Sequence, residues 1–138
     1  MRRPATVPAL GTLLAAILAG PSLAQERSIV SFEPDDFGAM VSGTITGKEY
    51  RDYVLGASAG QEMFVELTVA DGDGAGTAFF NVLPPGSDDV AIYNSAMLGN
   101  TTTVPLPESG DYTIRVYQLG DDADTGKTKG FNIDLSIQ

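Results

Sequence analysis

The chain has 138 residues, of which 18 are Asp or Glu and 8 are Lys or Arg, and its formal net charge is −10 at pH 7. Such an acidic chain is a poor match for nucleic acid, whose phosphates bind clusters of Lys and Arg. The chain contains no His and no Cys, which excludes Ser–His and Cys–His nucleophile pairs and metal sites built from imidazole or thiolate. The composition therefore favours a binding protein over an enzyme.

The first 24 residues have the three-part layout of a secretory signal peptide. Arg2 and Arg3 give a positively charged start, residues 10–20 form an apolar run, and Ser22 and Ala24 are the small residues expected before a cleavage site. The apolar run is shorter than the roughly 20 residues that a bilayer-spanning helix needs, and no Cys follows it for lipid attachment. We therefore predict export, cleavage near Ala24 and no membrane anchor.

Cleavage would leave residues 25–138, enough for one domain with a single core. This mature chain keeps 18 acidic residues and 6 basic ones, a net charge of −12. The charge would attract a cationic protein partner over long range, and it is equally consistent with a role in solubility alone. Residues 25–38, which include Pro34, are predicted to form a flexible N-terminal arm, and residues 39–138 to form the domain.

The alternation of apolar and polar residues predicts an all-β domain. The pattern is clearest over residues 63–69, 112–117 and 131–137, where apolar side chains occupy every second position. Shorter candidate strands lie at residues 41–46, 50–55, 77–83, 90–93 and 101–106. Turn-forming Gly, Asn and Pro separate these segments, and no segment predicts a helix. About eight strands at this close spacing predict a single antiparallel β-sandwich.

Two basic residues near the C-terminus lie at the start of the last predicted strand. Lys127 and Lys129 flank Thr128. Charged side chains at such a place commonly protect a sheet edge from pairing with another chain. Both lysines are therefore predicted to be solvated.

Three segments resemble the periplasmic inhibitors of g-type lysozyme. They are NVLPPGSDDVAIYNS at residues 81–95, ESGDYTIRVY at residues 108–117 and, more weakly, YRDY at residues 50–53 after a glycine turn. They occur in the family's order, and the likeness covers roughly residues 40–137. The resemblance implies a small antiparallel β-sandwich in the periplasm of a Gram-negative bacterium. It also implies inhibition of a lysozyme, most simply the g-type, by a loop that enters the muramidase cleft.

The resemblance implies that Ser109, Gly110, Asp111, Tyr112 and Arg115 bind the partner, with no catalytic residue, metal or cofactor. Gly110 would let the turn approach the partner closely. The Ser109 hydroxyl would hydrogen-bond catalytic carboxyl groups, and Tyr112 would brace the turn against the sheet. Spacing alone is also satisfied by an ordinary β-turn followed by the first core residue of a strand, because Ser and Gly are common turn formers.

The residues after Tyr117 depart from the family pattern. The inhibitors carry a basic run here, and its arginines engage the acidic cleft of the lysozyme. This chain instead has QLGDDAD at residues 118–124. Asp121, Asp122 and Asp124 would repel a catalytic carboxylate. Two possibilities therefore stay open: another target, or the same target bound in a different way.

The acidic loops are also compatible with a second function. Asp71 and Asp73 begin a loop like that of an EF-hand, but Ala75 and Val82 stand where further ligands belong. If this loop converged with the acidic run at residues 121–124, the chain would be a non-catalytic, calcium-stabilised or ligand-binding β-sandwich module of the cell envelope. The preference of Asp and Gly for turns accounts for the loop equally well.

Overall fold

The computed structural model describes residues 25–32, 36–72 and 78–138. Within these ranges the chain forms nine strands and two short helices. The strands are β1 (Gln25–Ile29), β2 (Gly38–Thr46), β3 (Tyr50–Ala57), β4 (Glu62–Gly72), β5 (Ala78–Leu83), β6 (Tyr93–Asn94), β7 (Thr101–Pro105), β8 (Gly110–Gln118) and β9 (Thr128–Ile137). The helices are α1 (Ser95–Leu98) and α2 (Gly120–Asp124). The predicted all-β class is confirmed, and the predicted signal peptide lies outside the described residues.

The strands form two sheets that share one hydrophobic core. One sheet has the order β1-β3-β8-β5-β6 and the other β2-β9-β4-β7. Both contribute to the core, where the Tyr53 ring of β3 meets the Phe131 ring of β9 edge-on at 6.2 Å between centroids. In β8, Tyr112, Ile114 and Val116 are fully buried. Because successive strand residues point to opposite faces, the residues between them face the outer side of the five-stranded sheet.

The prediction of a flexible arm over residues 25–38 is corrected for its first part. Residues 25–29 form β1, which pairs in parallel with β3 and so also departs from the predicted antiparallel arrangement. Arg27 lies 3.5 Å from Asp52, and Arg51 forms an ion pair with Glu26. Ladder hydrogen bonds and ion pairs hold a segment that lacks the apolar alternation on which strand prediction depends. The nearby residues 33–35 lie outside the described residues.

The segment between β5 and β7 also differs from the prediction. A strand was expected at residues 90–93, but the observed β6 contains only Tyr93 and Asn94. The unpredicted helix α1 follows, with the Asn94 side chain accepting a hydrogen bond from the Ala96 N–H. A single helical turn is too short to show a 3.6-residue period in the sequence. Neither helix in the described ranges could span a membrane.

Lys129 is fully buried, contrary to the predicted solvated position. It occupies the inward phase of β9, which continues through Phe131 and Ile133. Its Nζ lies 3.3 Å from Oδ2 of Asp122 in α2. The inward-facing Lys129 is therefore paired with a carboxylate from the neighbouring helix, and the Asp122 side chain stabilises a buried charge.

Candidate partner-binding site

The Ser109 turn, residues 108–112, connects β7 to β8 and is braced by two side chains. The Ala59 N–H donates to Ser109 Oγ at 2.9 Å, which joins the turn to the connection between β3 and β4. The Tyr112 hydroxyl donates to the carbonyl of Glu108 at 2.6 Å and accepts from the Glu108 N–H at 3.0 Å. Tyr112 therefore braces the turn and is also a fully buried core residue.

Gly110 is required by a contact within the molecule. Its φ of 145° is in the region that favours glycine. A Cβ placed on it would lie 2.9 Å from Cβ and Cγ of Pro85, closer than real contacts allow. The glycine thus permits the Ser109 turn to pack against the segment that follows β5. The side chains of Ser109 and Asp111 remain exposed beside it.

Arg115 lies apart from the turn, on the outer face of β8. Its Nε and Nη2 donate to the two carboxylate oxygens of Asp52 at 2.8 and 2.9 Å, and Nη1 donates to the carbonyl of Asp88 at 2.9 Å. The guanidinium carbon lies 4.2 Å from the centre of the Tyr50 ring. Hydrogen bonding to Asp52 raises the pKa of Arg115, and burial opposes the shift. The structure thus joins Ser109–Gly110–Asp111–Tyr112 in one turn and separates Arg115 from it.

Sequence reasoning missed the group around Asp52. Arg27, Tyr50, Asp52, Asp88 and Arg115 line a depression of about 370 Å³. Asp52 is only 5% exposed although it carries a charge. The sequence offered one clue, an Asp inside one predicted strand and an Arg inside another. A charged side chain that is buried within a strand usually needs an oppositely charged partner. Their pairing required the register that places Asp52 opposite Arg115.

The described residues contain no group of three or more His, Cys, Asp or Glu that could hold a metal ion. Asp73 and Ala75 lie outside the described residues, so convergence of the loop at 71–76 with the acidic run stays a prediction. Within that run, Asp122 pairs with Lys129 and Asp124 lies 3.9 Å from Lys48. Two of its three carboxylates therefore have cationic partners within the domain.

These features define a small all-β protein that carries a braced turn on a rigid sheet, an arrangement suited to recognition by loops. The chain belongs to the family of g-type lysozyme inhibitors. It is 35% identical over 129 residues to the inhibitor of g-type lysozyme from Escherichia coli (strain K12), and the match covers 91% of this chain and 92% of that protein. No family model matches the chain.

Solved structures give the same relationship. A periplasmic inhibitor of g-type lysozyme from Aeromonas hydrophila is similar with a TM-score of 0.72 and 32% identity, over 83% of this chain and all of that one. A mutant of the Escherichia coli inhibitor gives a TM-score of 0.65 at the same identity and coverage. The pre-peptidase C-terminal domain of a Bacillus anthracis collagenase, at 13% identity and a TM-score of 0.54 over 83% of this chain and 97% of that one, shares the fold alone.

Proposed function

We propose that the protein is a periplasmic inhibitor of a g-type lysozyme. The observation that carries the proposal is the 35% identity to a g-type lysozyme inhibitor over nine-tenths of both chains. The periplasmic location of the structurally similar inhibitors agrees with the signal peptide predicted at residues 1–24. The role needs no catalytic group or cofactor, and the protein is not an enzyme in this proposal.

The mechanism is steric occlusion of the muramidase cleft by the Ser109 turn. The two sheets act as a β-sandwich that presents this turn at one end. The contacts from Ala59 to Ser109 and from Tyr112 to Glu108 fix the turn before binding, which reduces the entropy lost on association. Asp111 is exposed at the turn and would contact the lysozyme beside the cleft that Ser109 enters.

Lytic assays test the proposal directly. Purified residues 25–138 are titrated against g-type, c-type and i-type lysozymes acting on peptidoglycan. We expect lysis by the g-type enzyme to slow at micromolar inhibitor or below, with less effect on the other two. If none of the three enzymes slows at micromolar inhibitor, the proposed function is wrong.

A matched pair of variants tests the role of the turn. Asp111→Trp places a bulky side chain on the exposed surface of the turn, and Asp121→Trp makes the same change on exposed α2 at the other end of β8. Occlusion by the turn predicts that Asp111→Trp weakens inhibition about 100-fold or more, equivalent to roughly 2.7 kcal/mol, while Asp121→Trp has little effect. Equal effects of the two variants would remove the turn from the contact surface.

A further inference from the structure

The segment between β5 and β6 forms an ordered loop at residues 84–90. The Ser87 N–H donates to the Pro84 carbonyl, and Ser87 Oγ bonds both the N–H and the carbonyl of Val90. These bonds are local and close the loop on itself. Val90 at its end is an apolar residue with 69% of its surface exposed.

Two contacts fix this 84–90 loop relative to the proposed binding turn. Pro85 packs against Gly110, where a Cβ would collide with it. Arg115 donates to the carbonyl of Asp88 at 2.9 Å. Among the described residues, this is the hydrogen bond that ties the loop to the sheet. The next one along the chain runs from the Ile92 N–H to the carbonyl of Val82 in β5. The loop and the Ser109 turn are therefore held next to each other.

Arg115 is itself held in one orientation. The carboxylate of Asp52 takes two of its five N–H groups, and the Tyr50 ring supports the flat face of the guanidinium. The third bond, to Asp88, follows from the fork geometry of a guanidinium that is already fixed by the first two. A lysine retains the charge, but its three N–H donors share one nitrogen, so it has no planar fork to serve Asp52 and Asp88 together.

We propose that Arg115 is a positioning residue for the 84–90 loop, and that this loop contacts the lysozyme through Val90 beside the Ser109 turn. The inference rests on the proposed function. It changes the role of Arg115 from a residue that binds the partner to one that acts through the loop. Val90 is an exposed apolar side chain on a loop that packs against the Ser109 turn, and its burial against the lysozyme would stabilise the complex through the hydrophobic effect.

Amide hydrogen exchange tests the positioning step in the free protein. In Arg115→Lys, we expect the hydrogen-bonded amides of Ser87 and Val90 to exchange at least about tenfold faster, because loss of the tie to Asp88 permits local opening. Amides in the centres of β4 and β9 provide the internal control and should be unchanged. Unchanged exchange at Ser87 and Val90 would overturn the proposal without any reference to lysozyme.

A double-mutant cycle with lysozyme tests the contact step. Val90→Ser should raise the inhibition constant about tenfold at an unchanged melting temperature, whereas Leu119→Ser, an exposed apolar residue at the opposite end of β8, should leave it unchanged. Arg115→Lys should raise the constant about tenfold in the wild-type background and much less in Val90→Ser, because coupled residues are not additive.

The outcomes of the cycle are distinguishable. Equal effects of Arg115→Lys in both backgrounds would mean that Arg115 touches the partner itself, and the positioning role would be wrong. Full inhibition by Val90→Ser beside an inhibitory wild-type protein would overturn the contact role of the loop and leave the proposed function intact. A wild-type protein that inhibits no lysozyme would overturn the proposed function together with that contact role.

Discussion

The two ends of β8 are built in different ways. At the beginning of the strand, the Ser109 turn is braced through backbone groups of Glu108 and Ala59, so its exposed carboxylate at Asp111 stays available. At the far end, α2 is attached by side-chain charges, with Asp122 against the buried Lys129 and Asp124 near Lys48. The first end uses hydroxyl groups for its bracing and leaves the Asp111 carboxylate to solvent, whereas the second end uses two of its carboxylates for its own attachment.

This difference gives the acidic run a structural explanation. The lysozyme inhibitors that the sequence resembles have a basic run where this chain has residues 118–124, and the substitution raised the possibility of another target. Asp122 anchors α2 to the domain through Lys129. One of the acidic residues that depart from the family pattern therefore forms an ion pair within the domain. In the proposed function, the lysozyme is recognised at the opposite end of β8, by the Ser109 turn.

The largest effect is expected from the pair that attaches α2. Asp122→Asn removes the carboxylate that lies 3.3 Å from the buried Lys129 ammonium, which should cost on the order of 3 kcal/mol. Asp121→Asn, an exposed neighbour in the same helix, should stay within about 0.5 kcal/mol of wild type. Urea unfolding measures both. If Asp122→Asn weakened inhibition without loss of stability, the α2 end would also be a contact surface.

A smaller effect is expected from the packing of Gly110 on Pro85. Gly110→Ala should lower the free energy of unfolding by about 1–3 kcal/mol, because the new methyl group overlaps Pro85 and the backbone conformation is unfavourable for alanine. Gly60→Ala is the control, since Gly60 also has a positive φ of 92° but has no atom within 4 Å of the added Cβ. Similar losses in the two variants would show that only φ matters at position 110.

The Tyr112 hydroxyl should contribute less than the Gly110 packing. Tyr112→Phe keeps the ring in the core and removes both hydrogen bonds to Glu108, at a cost of about 1 kcal/mol. Inhibition should weaken by more than stability explains, because the turn loses its brace. Tyr93→Phe removes a hydroxyl bond to Gly99 outside the turn and should leave inhibition unchanged. Equal inhibition by both variants would exclude a role for the brace in binding.

The smallest effect is expected from Tyr53 in alkaline solution. Burial raises the pKa of Tyr53 above its ordinary value of 10.0, with Arg51 opposing the shift. The folded protein therefore holds this proton more tightly than the unfolded chain, so the contribution to stability is fully present below pH 10 and decreases as pH rises through the higher folded pKa. Tyr53→Phe should flatten this alkaline decrease in urea unfolding. An identical decrease in both proteins would assign it to other groups.

The parts of the fold with strong alternation could be predicted from sequence. The strands near residues 63–69, 112–117 and 131–137 appear as β4, β8 and β9, because each buries one face and so shows period-2 alternation. Strand β1 was missed because its contacts with β3 are backbone bonds and ion pairs.

The candidate site was less accessible to sequence analysis. The local residues of the Ser109 turn could be found, because turn chemistry depends on neighbours in the chain. The Asp52–Arg115 pair depends on register between strands, and the Gly110–Pro85 contact depends on how two connections meet in space. Lys129 was predicted to be exposed because the prediction gave more weight to its charge than to its position, which is in phase with the inward-facing residues of β9.

The position of β9 determines when folding can be completed. This last strand lies between β2 and β4, and its register joins Gly38 to Ser136 and Met63 to Ile137. The four-stranded sheet therefore cannot close until the C-terminal residues are available, and its formation requires pairing between distant parts of the chain. Such topology places folding in the slow range of milliseconds to seconds. A nascent chain therefore cannot acquire its native core before its C-terminal residues are synthesised, which is compatible with transport in an unfolded state.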